Sequence, residues 1–235
     1  MMPKPLIRHR DWIMLTVHHL NNSRSQRVLW LLEELEVPYQ IERYQRGPDM
    51  MAPKELRAVH PLGKSPVITD NGNTIAESGA IIEYIIATYG NGRLIPPQNT
   101  PERLRYTYWL HYAEGSAMTP LLLKLLFTLM PKRAPALIRP LVRAFTSAVV
   151  TGFVDPQLKQ HMDFWESELA KSEWFAGNDF SAADIQMSFP LEAASARGGL
   201  AQGHPKATAF LARIHARPAY ARALQKGGPY EIGKA

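Results

Sequence analysis

The sequence predicts an α/β domain of order β-α-β-α-β-β-α followed by an all-helical domain. Three observations carry this reading. A short β-branched segment precedes an amphipathic helix, two short strands flank Asp70-Asn71-Gly72-Asn73, and everything after residue 100 has helical periodicity. A chain of 235 residues, 46% of them hydrophobic, is long enough for one large core or two modest ones.

Residues 14–20, MLTVHHL, have the length of a buried strand, and Asn21-Asn22-Ser23 reads as the turn into a helix. Val28, Leu31, Leu32 and Leu35 then fall on one apolar stripe that Pro38 closes. Tyr39 to Tyr44 fits a second strand, and Met51 to Val59 a weak helix with Pro53 in its first turn. Val67-Ile68-Thr69 and Thr74-Ile75-Ala76 form a hairpin around a glycine-containing turn. From Ser78 a helix carries Ile81, Ile82, Ile85 and Ile86 on one face and ends near Gly90, where a left-handed cap is expected. Residues 91–100, with Gly92, Pro96 and Pro97, read as a linker between a domain at 14–90 and a helical domain at 101–235. Thr100 caps a helix with Pro101 at its first position, running toward Met130. Further helices are expected over 136–150, 156–171, 182–198, 205–216 and 218–226. Ser181 and Asp184 form a capping box, a folding signal rather than a ligand site.

Composition excludes several functions. The chain has no cysteine, so disulfides, thiolate metal sites and a protein-borne thiol nucleophile are ruled out, and thiol chemistry has to use a ligand's sulfur. His18 and His19 are adjacent on a strand and face opposite sides, so no metal site is expected there. The net charge of +6 is scattered, with one loose cluster at Lys132, Arg133, Arg139 and Arg143, which argues for a solvated basic face rather than nucleic-acid binding. No run is long and apolar enough for a membrane span. Residues 1–13 lack the apolar stretch of a secretory signal and read as an extension outside the fold, which makes the cytoplasm the expected location.

Two short motifs carry chemistry. In residues 60–68, HPLGKSPVI, a proline opens a strand behind a small residue. A cis Ser65-Pro66 bond there would turn the Ser65 backbone toward an extended peptide, whereas a trans proline opening an edge strand fits the same residues. In Glu77-Ser78-Gly79-Ala80-Ile81, Ser78 at the N-cap and the amides of the first turn suit a carboxylate, and Glu77 suits an ammonium group. Together they match the α-amino-acid end of a peptide; a plain helix cap with an acidic neighbour is the simpler alternative.

PLGKSPVI followed by ESGAIIEY resembles the N-terminal domain of the soluble glutathione transferases. VHHLNNSRSQRVLWLLEEL resembles their first strand and helix, and FSAADIQMSFP the capping box of their helical domain. The resemblance implies a thioredoxin-like domain, an all-helical second domain, a homodimer, glutathione as co-substrate and a hydrophobic electrophile or peroxide as acceptor. It places the cysteinyl part of glutathione on Ser65 beside Pro66, with Lys64 in reach, and the γ-glutamyl group on Glu77 and Ser78. Arg43, Arg46 and Lys54 are alternatives for the glycyl carboxylate. A serine four residues before the arginine at 27 activates the sulfur in similar members, which selects Ser23; Asn22 and Ser25 are rival donors, and Ser23 as a mere N-cap is the plainer role. Tyr108, Tyr112 and Ser116 are candidates for the electrophile pocket. A non-catalytic glutathione-binding or regulatory protein of the same fold is the alternative function.

Overall fold

The computed structural model describes residues 14–47 and 51–232; the expected extension at 1–13 lies outside them. Strands β1 (Thr16–Leu20), β2 (Gln40–Tyr44), β3 (Val67–Asp70) and β4 (Asn73–Ala76) form one mixed sheet in the order β2-β1-β3-β4. β1 runs parallel to β2 and antiparallel to β3, with Val17 opposite both Ile41 and Ile68. The β3-β4 turn places Asn71 at φ 49° and Gly72 at φ 80°, the two consecutive left-handed residues that a tight hairpin needs. Helices α1 (Ser25–Leu35), α2 (Glu55–Val59) and α3 (Ser78–Tyr89) complete this thioredoxin-like unit.

After residues 91–100, which carry no helix or strand, come α4 (Pro101–Tyr112), α5 (Met118–Arg133), α6 (Arg139–Val149), α7 (Asp155–Leu169), α8 (Ala182–Gly198), α9 (Pro205–His215) and α10 (Pro218–Gly227). Thr100 accepts the Arg103 amide at 3.2 Å, and the capping box of Ser181 with Asp184 is formed. Proline stands in the first turn of α4, α6, α7, α9 and α10, where its missing N–H costs nothing. A π-helical turn, Ala113–Ala117, joins α4 to α5 without a break.

Three local expectations need correction. The chain leaves α1 at Glu36 (φ 55°), ahead of Pro38. Gly90 is right-handed (φ −69°), and Asn91 takes the positive φ after it. Gly90 is required for a different reason: a Cβ there would lie 2.4 Å from the Ile86 carbonyl oxygen. The weak helix expected from Met51 shortens to α2, because Lys54 sits at its cap.

The core is continuous between the two units. Ser25 through Glu33 are all buried, so α1 has no solvent face. Its apolar stripe packs on the sheet side, and Trp30 meets the Tyr220 ring of α10 edge-on at 5.2 Å. Trp109, Tyr112, Phe164 and Phe175 form a second ring cluster between α4 and α7.

Candidate active site

The Ser65-Pro66 peptide is cis. Ser65 stands before β3, and its hydroxyl donates to the His18 carbonyl of β1 at 3.1 Å. One hairpin later, β4 ends at Ala76, opposite Val67, so Glu77 and Ser78 arrive beside Ser65. Lys64, Ser65, Pro66, Glu77 and Ser78 line one cleft of about 330 Å³, together with Arg24, His60 and Glu114.

Glu77, rather than Ser78, is the N-cap of α3, and Ser78 is its first helical residue. Glu77 holds φ 70° and ψ 124°, a conformation costly for any residue with a Cβ and one that marks functional backbone. The first amide to bond back is Ile81, to the Glu77 carbonyl at 2.9 Å. The amides of Ser78, Gly79 and Ala80 therefore face the cap with no intrahelical acceptor, at the positive end of the helix dipole. The Ser78 hydroxyl accepts from Arg27 at 3.2 Å.

Ser23 is 4% exposed and does not border the cleft. Its oxygen accepts the Ser25 amide at 3.2 Å and lies 2.8 Å from the Ser25 hydroxyl; its proton reaches the Ser65 hydroxyl at 3.3 Å. Ser25 in turn lies 2.8 Å from His19 Nδ1. Burial, and then the nearby Arg43, depress the His19 pKa to about 4, so the ring is neutral, and it makes a backbone hydrogen bond to Gly227. With its other nitrogen protonated toward Gly227, Nδ1 accepts from Ser25, and the Ser23 proton is left for Ser25, Ser65 or a ligand. Asn22, at φ 50°, is committed elsewhere: its side-chain oxygen accepts the Glu231 amide at 2.7 Å.

No motif singles out Arg24. Its Nε donates to both oxygens of Glu114, at 2.8 and 2.9 Å, and Arg27 reaches the same carboxylate from the buried side. Burial works to raise the Glu114 pKa, but Arg27 and Arg24 outweigh it and hold the carboxyl below its ordinary range. Glu114 lies on the π-helical turn, a distortion frequent at functional sites.

A larger cavity, of about 1070 Å³, adjoins the cleft and shares Arg24 and Leu122 with it. Leu125, Leu129, Ile138 and Val142 of the α5–α6 pair form its apolar wall, and Phe189 of α8 and Ile232 contribute from the other side. Tyr108, Tyr112 and Ser116 line neither space. Tyr112 is buried with its hydroxyl against His161 and Trp165, Tyr108 stacks on it at 5.5 Å, and Ser116 is exposed on the π-helical turn. The π-helical turn intervenes between those residues and the segment of α5 that faces the cavity. Of the three glycyl alternatives, Arg46 borders the large cavity, Arg43 donates to the Lys226 carbonyl and Lys54 caps α2; none borders the cleft. A separate cavity of about 420 Å³, between the linker and the start of α8, shares no residue with either space.

A thioredoxin-like sheet with a cis-proline turn beside a helix N-terminus, packed against an all-helical domain, defines a class of proteins that bind a thiol peptide. Residues 23–88 match the family model of the glutathione S-transferase N-terminal domain, and residues 129–218 that of the glutathione S-transferase C-terminal domain. Glutathione S-transferase 3 of Schizosaccharomyces pombe is 38% identical over 181 residues, spanning 77% of this chain and 74% of that protein. Glutathione S-transferase 1 of Saccharomyces cerevisiae is 31% identical over 222 residues, 91% of this chain and 95% of that one. A solved glutathione S-transferase structure from Actinobacillus pleuropneumoniae matches with a TM-score of 0.77 at 30% identity, covering 94% of this chain and 97% of that one. A sphingomonad glutathione S-transferase complexed with glutathione shares the fold, at a TM-score of 0.69 and 24% identity over 91% of this chain and 98% of that one. The chain belongs to the glutathione S-transferase family, whose activity is glutathione transfer with glutathione as co-substrate.

Proposed function

We propose that this chain conjugates glutathione to electrophiles, or uses it to reduce peroxides, with glutathione in the polar cleft and the acceptor in the adjoining apolar cavity. The observation that carries the reading is the contact between the two spaces. A cleft with a helix N-terminus and an edge for a peptide opens beside a mostly apolar chamber, and Arg24 borders both. The γ-glutamyl carboxylate goes to Ser78 and the first amides of α3, its ammonium to Glu77, and the cysteinyl backbone to Ser65, with Lys64 at the rim. The sulfur then lies toward the start of α1.

Lowering a thiol pKa of about 8.5 by two units takes about 2.7 kcal/mol. A hydroxyl donor at Ser23, the N-terminus of α1 and the Arg24 guanidinium supply interactions of that size. The Ser23 proton turns from Ser65 to the sulfur, while its oxygen keeps the Ser25 amide as partner. Thiolate and acceptor then react as neighbours, with proximity and thiol activation as the means of acceleration.

Ser23→Ala tests this. The thiol of bound glutathione, titrated by thiolate absorbance, is expected to rise in pKa by about one to two units. Conjugation of a neutral aryl halide at pH 6.5 falls by about fivefold to fiftyfold, as the thiolate fraction does. An unchanged titration and unchanged turnover reject the Ser23 role. The buried, hydrogen-bonded state of Ser23 favours a second reading, a glutathione-binding protein without thiol activation. Retention on immobilised glutathione with an ordinary thiol titration in the unaltered chain would establish it.

We further propose a homodimer located in the cytoplasm. The apolar, exposed Leu141, Phe145 and Phe153 support the dimer, since a monomer would leave them in water. Among the described residues no helix is long and apolar enough to cross a membrane.

A further inference from the structure

We propose that the large cavity selects acceptors joining an elongated apolar body to an anionic group, and that Arg197 binds the anion. This rests on the reading of that cavity as the acceptor site and names its substrate class. Among the described residues, the cavity's charged groups are Arg24, Arg46, Arg133 and Arg197 against a single carboxylate, Glu231, so a cationic rim surrounds apolar walls. Arg24 is held by Glu114, a carboxylate it shares with Arg27. Arg46 donates to the Asn21 carbonyl, and Arg133 stands exposed at the end of α5.

Arg197 differs from all three. It lies in the last turn of α8, partly buried, and has no hydrogen-bond or ion-pair partner among the described residues. Burial pulls its pKa below the ordinary arginine value, opposed by the nearby Tyr230 phenol. A guanidinium deprived of part of its water and given no counter-charge is a standing cost, and a bound carboxylate or sulfonate removes it. The guanidinium fork matches a planar carboxylate through two parallel hydrogen bonds. At about 1070 Å³ the cavity reaches the upper end of the range of small-molecule sites, which suits a long chain or fused rings more than a single ring.

Decanoate and decanol, equal in apolar length, separate charge from hydrophobicity. Calorimetry on the full chain at low ionic strength is expected to show decanoate binding about tenfold or more tightly than decanol, the size of one charge-assisted hydrogen bond. Decanoate should also inhibit conjugation of a neutral aryl halide in competition with the halide. Arg197→Met removes the preference while leaving decanol binding unchanged, Arg197→Lys keeps part of it, and Arg133→Met keeps it whole. Equal binding of the two probes to the unaltered chain overturns the proposal. So does a preference that survives in Arg197→Met, or decanoate binding that leaves conjugation uninhibited. Retention on immobilised glutathione is scored separately: its loss in the unaltered chain defeats the transferase reading, whereas calorimetry with the two probes judges the anion subsite itself.

Discussion

His19 connects fold stability to the site. It is 5% exposed, faces Ser25 and Gly227, and has a pKa of about 4 against an ordinary 6.5. Between those two values the unfolded chain binds a proton that the folded chain refuses. Its contribution is therefore present in full above about pH 6.5 and is lost as pH falls toward 4, up to about 3 kcal/mol for a shift of this size. Denaturant unfolding across that window should show the acid loss in the natural chain and a flatter profile in His19→Asn. Equal slopes would show that His19 titrates normally in the fold. The same neighbourhood shows what a sequence discloses about a site. Ser65, Pro66, Glu77 and Ser78 are legible because each sits next to a local punctuation mark, a proline or a helix start, and one hairpin brings the pairs together. Arg24 is not, since its partner Glu114 lies 90 positions away and no local pattern announces the pairing. The side-chain state of Ser23 is equally hidden, for it depends on Ser65, 42 positions on.

Among the elements, α8, α9 and α10, which open on a box or a proline, begin where the sequence places them because the capping chemistry is local, whereas α6, expected from 136, begins at Arg139. The π-helical turn is not legible: Ala113–Ala117 contains no residue that demands it. The family resemblance offers Tyr108, Tyr112 and Ser116 for the pocket, whereas α5, beyond that turn, supplies its wall. The α5–α6 pair also carries Leu141 and Phe145, both more than half exposed and lining neither space. A packed partner explains apolar side chains in that position better than water does. Sedimentation velocity is expected to give a dimer for the natural chain and a monomer for Phe145→Asp combined with Leu141→Asp, with retention on immobilised glutathione kept. A natural chain that sediments as a monomer would dispose of the dimer.

Across the whole molecule, the two units are joined through α1, whose buried polar residues find their partners in the helical domain. Arg217 bonds Glu34, Arg222 and Lys226 bond Glu33, and Arg27 reaches Glu114, Ser78 and the Gln186 carbonyl at once. Arg27 is 3% exposed, so its charge depends on Glu114. Glu114→Gln keeps the shape and one acceptor oxygen but removes the counter-charge. Leaving a buried ion uncompensated costs about 3 kcal/mol or more, whereas replacing both partners by apolar groups of similar size costs far less. Chemical denaturation should therefore show a marked loss for Glu114→Gln and substantial recovery when Arg27→Met is added. Glutathione affinity should part from stability in that double variant. Arg27 also donates to Ser78 in the cleft, so the recovered fold should still bind glutathione more weakly than the natural chain. Recovery of both together would mean that Arg27 joins the domains without organising the glutathione cleft.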